Sequence, residues 1–102
     1  MPFKIHRTDV AEAQLSELTA DKGKARQAKA VLKAIARLEE DPDYRGLNTH
    51  AMQGETCPYG GTRYVSYAQN RTAGAYRVFW CYPPIPPYER GDILIVAITP
   101  HP

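Results

Sequence analysis

Lys22-Gly23-Lys24-Ala25-Arg26-Gln27-Ala28-Lys29-Ala30-Val31-Leu32-Lys33-Ala34-Ile35-Ala36-Arg37-Leu38-Glu39 is the most strongly periodic stretch of the chain. Ala25, Ala28, Val31, Leu32, Ile35 and Leu38 recur at spacings of three and four, so a helix gathers them on one face. Lys22, Arg26, Lys29, Lys33 and Arg37 fall on the opposite side as a narrower basic stripe. Asp41-Pro42 ends the helix, because proline pushes the residue before it out of helical geometry. An apolar stripe of this width needs a second layer to cover.

Upstream, Val10 to Thr19 reads as a shorter helix with Ala11, Leu15 and Leu18 on one face. Thr8-Asp9 offers its N-cap, and Asp9 with Glu12 has the spacing of a capping box. Asp21 to Gly23 interrupts the two helices so briefly that they form an antiparallel hairpin with a shared apolar face. Before them, Phe3-Lys4-Ile5-His6-Arg7 alternates like a half-buried strand.

Downstream of Gly46 the period changes to two. Leu47 to Gln53 is a weak strand, Gly54 to Gly61 a loop, and Arg63 to Gln69 an alternating strand. Ala75 to Tyr82 is rich in aromatic and β-branched residues, as strands are. Pro83 to Pro87 contains four prolines, which cannot donate to a ladder, and reads as a stiff connection. Ile93 to Ile98 is nearly unbroken apolar sequence, the mark of a central strand buried on both faces. The expected fold is therefore α+β. A twisted, antiparallel-rich sheet of four to five strands carries the helical hairpin on one face, in the order β-α-α-β-β-β. The other face is left open for a site.

The chain has 102 residues, enough for one domain spanning 1–102 and no second core. Apolar residues make up 43% and charged residues 24%, which excludes a disordered chain. The net charge of +2 is too small to indicate a nucleic-acid partner by itself. No apolar run approaches the ~20 residues of a membrane span. Met1 to Thr8 lacks the apolar core of a secretory signal, so the expected location is the cytosol. Cys57 and Cys81 are too few for a disulfide framework and are expected as free thiols. They have no Cys or His neighbours at zinc-ligand spacing, so neither a metal nor another cofactor is expected.

Three strings, in this order, resemble the RelE/ParE superfamily of toxin–antitoxin toxins: Leu32-Lys33-Ala34-Ile35-Ala36-Arg37-Leu38-Glu39-Glu40-Asp41-Pro42; Ala75-Tyr76-Arg77-Val78-Phe79-Trp80; and Ile93-Leu94-Ile95-Val96-Ala97-Ile98 with His101 close behind. With the leading strand, the likeness covers nearly the whole chain. The resemblance implies a toxin of a type II system held inactive by a cognate antitoxin. Its RelE-like branch enters the ribosome and cuts mRNA without a metal. Its ParE-like branch poisons DNA gyrase and cuts nothing, and a protein of this fold can also lack toxicity. Fold alone does not choose among these.

Ribonuclease chemistry of this kind needs a base for the ribose 2′-OH, an acid for the leaving oxygen and cations on the phosphorane. Arg77 stands where the resemblance places the active-site arginine, on a strand otherwise aromatic and aliphatic. It either faces a wet surface or pairs with a carboxylate such as Glu55 or Asp92, since an unpaired buried charge is costly. His101 matches the family's basic residue past the last strand, and its alternative is a frayed terminus. Arg63 and Arg71 bracket the preceding strand as phosphate ligands or solvated surface groups. Tyr67 could stack on a base. Tyr76 and Tyr82 alternate with Val78 and Trp80 and are expected in the core. Lys29 and Lys33, on the basic stripe, are candidate RNA contacts or a solvated helix face. His6 and His50 are expected at the surface, with a functional role as the alternative for His50. Val65, Ser66 and Tyr67 stand where some relatives carry lysines.

Overall fold

A computed structural model describes residues 3–58, 60–70, 74–83 and 91–100. Strand β1 (Lys4–Arg7) leads into helix α1 (Asp9–Ala20), a 3-10 turn (Lys22–Lys24) and helix α2 (Ala25–Glu40). A second 3-10 turn (Arg45–Leu47) precedes β2 (His50–Thr56), β3 (Thr62–Tyr67), β4 (Tyr76–Cys81) and β5 (Asp92–Pro100). The fold is α+β with one five-stranded mixed sheet in the order β1-β5-β4-β3-β2. β1 runs parallel to β5, and the other three pairings are antiparallel. Four strands follow the helices, where the order read from the sequence has three.

Side chains cap α1 and the 3-10 turn that leads into α2, though not as the pattern suggests, and α2 itself starts without a side-chain cap. Thr8, not Asp9, caps α1: its hydroxyl accepts from the Ala11 N–H at 3.1 Å. Glu12 is engaged by the Arg7 guanidinium instead of closing a capping box. Asp21 accepts from the Gly23 N–H at 2.9 Å and winds Lys22–Lys24 into a 3-10 turn, so α2 starts at Ala25, three residues later than expected. The helices bury Ala11, Leu15 and Leu18 from α1 and Ala28, Val31, Ala34, Ile35 and Leu38 from α2. Leu32 lies at the rim of that stripe and remains 49% exposed, a correction to its expected burial.

These helix residues pack on Tyr76, Val78 and Trp80 of β4 and on Ile93, Ile95 and Ile98 of β5. The strand register slips between Phe79 and Trp80, because Phe79 faces Ala97 while Trp80 faces Ile95. Val96 is the extra residue of this bulge, and it lets Ile98, rather than Ala97, rejoin the helix-side core. Trp80 is the largest fully buried side chain; its indole N–H donates to the Ser66 hydroxyl at 2.8 Å, and Ser66 in turn bonds Thr49 at 2.6 Å.

The opposite face carries a smaller apolar cluster of Phe79, Cys81, Leu94, Val96 and Cys57. Here the expectation of two free thiols is overturned: Cys57 and Cys81, 24 residues apart, are joined by a disulfide. It ties the turn after β2 to the end of β4. The cysteines therefore lend no support to a cytosolic location, since stable disulfides belong to oxidising compartments. No helix among the described residues is long and apolar enough to cross a membrane. The stretch Gly54 to Gly61, expected as a loop, is partly strand: β2 runs on to Thr56 past a bulge at Gly54, whose φ of 79° suits glycine.

Candidate functional site

Alternation along β4 sends Tyr76, Val78 and Trp80 to the helices and Arg77, Phe79 and Cys81 to the helix-free face. Register then decides the neighbours of Arg77, which lies opposite Tyr67 on β3 and Thr99 on β5. Its guanidinium sits 4.5 Å from the Tyr67 ring centroid, a cation–π contact that fixes the side chain along the sheet. Tyr67 meets the imidazole of His50 edge-on, with ring centroids 5.7 Å apart. Strands β2, β3 and β4 thus contribute one group each to a row of histidine, tyrosine and arginine.

Beside this row, Arg63 lies over the Phe79 ring at 4.9 Å and pairs with Glu55 at 3.7 Å. Asp92 pairs with His6 at 3.4 Å. Both carboxylates that could have neutralised Arg77 are therefore engaged elsewhere. Arg77 has no carboxylate within salt-bridge distance among the described residues. It is half-buried, and its Nε is itself buried with no hydrogen-bond partner there. A guanidinium held by an aromatic ring, its charge unpaired among the described residues, suits an anion such as a phosphate.

His50 completes the chemistry that the sequence did not assign to it. It is exposed, as expected of a surface histidine, but its Nδ1 lies 3.2 Å from the Asn48 carbonyl oxygen. In the tautomer that donates through Nδ1, Nε2 is the free proton acceptor. The Asn48 backbone that makes this contact has φ of 50°, in the left-handed region where asparagine is tolerated. Nothing in His50-Ala51-Met52 marks it in the sequence, because its partner Tyr67 is seventeen residues away and only register brings them together.

Of the other residues singled out from the sequence, Arg63 and Tyr67 share the face of Arg77. Lys29 and Lys33 are exposed on α2, and Lys33 lines a cleft on the helix side of the molecule. Arg71 and His101 lie outside the described residues. Tyr76 is buried, and its hydroxyl lies 3.4 Å from the Lys24 ammonium. Tyr82, expected in the core, is instead 41% exposed, because it lies just past the end of β4, with its ring edge-on against Trp80 and Tyr64. Burial, then the nearby Asp43 carboxylate and Tyr64, hold its hydroxyl pKa above the usual 10. Comparison with family models, curated proteins and solved structures returned no match.

Proposed function

We propose that the chain is the toxin of a type II toxin–antitoxin system, acting as a ribosome-dependent mRNA endonuclease. The observation that carries this reading is Arg77 on the helix-free face, engaged by Tyr67 and, among the described residues, by no carboxylate. A sealed ion pair at that position would have favoured a gyrase inhibitor or a non-toxic protein.

In this reading Arg77 binds the scissile phosphate and stabilises the phosphorane with its fork of N–H donors. His50 takes the proton of the ribose 2′-OH, whose oxygen attacks the adjacent phosphorus. The bond to the 5′-oxygen breaks as an acid donates a proton to it, leaving a 2′,3′-cyclic phosphate; His101 is the candidate acid. Tyr67 offers an edge to the base, and Arg63, partly neutralised by Glu55, binds a flanking phosphate. The ribosome presents the mRNA, and a cognate antitoxin covers this face when the toxin is silent.

Inducing the wild type, Arg77→Ala, His50→Ala and His101→Ala in cells and mapping mRNA ends tests this. Growth arrest with new mRNA ends in the wild type, lost in Arg77→Ala, is the expected result. Growth arrest with intact mRNA and damaged DNA would move the protein to the gyrase-poison reading, and no arrest at all to the non-toxic one.

A further inference from the structure

On the helix side, a cleft of about 370 Å³ opens between α2 and the turn that precedes β2. Ala34 and Leu47 line its apolar part, and Lys33 and Arg37 supply two cations. Tyr67, whose ring carries Arg77 on the other face of the sheet, lines its far end. No acidic side chain among the described residues lines this cleft. Two other clefts of similar size differ, since Glu17 and Asp21 line one and Asp43 the other.

Arg37 is held in place. Its guanidinium lies 4.6 Å from the Tyr44 ring centroid, and among the described residues its only carboxylate contact is Glu40 at 3.9 Å, a long and exposed pairing. Tyr44 is itself lodged against Gly46: a Cβ built there would come within 2.6 Å of the ring. The Gly46–Tyr44–Arg37 stack therefore presents a pre-oriented fork beside an apolar surface. Cation pair, apolar wall and volume together match one nucleotide, with phosphate on Lys33 and Arg37 and base against Ala34 and Leu47.

We propose that this cleft is a subsite for a nucleotide flanking the scissile bond, reached by RNA that passes around Tyr67 from Arg77. The proposal rests on the nuclease reading for its biological sense, but binding in the cleft can be measured without cleavage. Tyr44 acts as a positioning residue, through Arg37.

The test has two arms. Adenosine 5′-monophosphate is titrated into the isotope-labelled wild type, and amide shifts are expected at Lys33, Leu47 and Ala68. A fully 2′-O-methylated, uncleavable hexaribonucleotide is then bound by anisotropy at several salt concentrations. Lys33→Ala with Arg37→Ala is expected to weaken it roughly tenfold and to flatten the log–log salt slope by roughly 0.7, one phosphate's worth. Lys22→Ala with Arg26→Ala removes the same charge from exposed positions outside the cleft and is expected to weaken it less than twofold. Tyr44→Ala should weaken binding while Tyr44→Phe restores it. Unmoved cleft amides in the wild type overturn the proposal, as do equal effects of the two double substitutions. Since the nucleotide arm needs no variant, a misfolded substitution does not shelter it. Cleft shifts without any RNA cutting would sink the nuclease reading alone; RNA cutting with a silent cleft would sink the subsite alone.

Discussion

Breaking the Cys57–Cys81 bond should destabilise the protein by an amount that the chain length between the cysteines sets. The bond joins residues 24 apart and so closes a loop of about 25 residues in the unfolded chain. In the chain-entropy treatment, that closure removes roughly 12 cal/mol/K, or about 3.5 kcal/mol at 25 °C. Native proteins of this size are stable by ~5–15 kcal/mol, so the loss is a large share. At ~4–8 °C per kcal/mol for a small domain, Tm should fall by roughly 14–28 °C. Cys57→Ala with Cys81→Ala keeps the site free of new buried hydroxyls in a cluster otherwise made by Phe79, Leu94 and Val96. Calorimetry of that variant, and of the wild type with and without a phosphine reductant, measures the effect. The reasoning fails if oxidised and reduced wild type melt together, or if unreduced, denatured protein titrates two thiols.

Ser66→Ala leaves the buried Trp80 N–H without its acceptor and should cost roughly 1–3 kcal/mol by urea unfolding, with Tyr64→Phe as a nearby substitution that spares that bond. An unchanged midpoint would show that the indole finds another partner. Arg77→Leu should leave stability unchanged or raise it by up to about 1 kcal/mol while abolishing growth arrest, because the guanidinium has no carboxylate to lose among the described residues. A large loss of stability would instead mark Arg77 as structural. For Tyr82, the raised pKa means that both states are neutral below pH 10 and the unfolded chain ionises first above it. Stability should therefore fall as pH rises past 10, and less steeply in Tyr82→Phe. Equal slopes for the two proteins would contradict the partial desolvation of that hydroxyl.

The helices, the central strand and the side to which Arg77 points follow from local pattern. α1 buries Ala11, Leu15 and Leu18 as its spacing dictates, and β5 is buried on both faces as an unbroken apolar run should be. What escaped is what pattern does not encode. β2 is an exposed edge strand whose Gln53-Gly54-Glu55-Thr56 has no buried side to alternate with. The disulfide depends on Cys57, just past β2, meeting Cys81 at the end of β4, a long-range fact. His50 gained its place beside Tyr67 from register alone. Arg77 was legible because a lone cation on an aromatic strand is conspicuous, whereas the pairing of Glu55 with Arg63 and of Asp92 with His6 is decided only in three dimensions.

The parallel pairing of β1 with β5 joins Lys4 to Asp92 and Arg7 to Ile95. During synthesis, at roughly 5–20 residues per second, β1 waits several seconds for the strand it will lie against. Over that interval the hairpin of helices has no β5 to cover, although α1 later touches it through the bond from the Ile98 N–H to Gln14. Assembly of the sheet thus waits for β5 to leave the exit tunnel. A nascent chain cannot complete the sheet until Asp92–Pro100 has been synthesised.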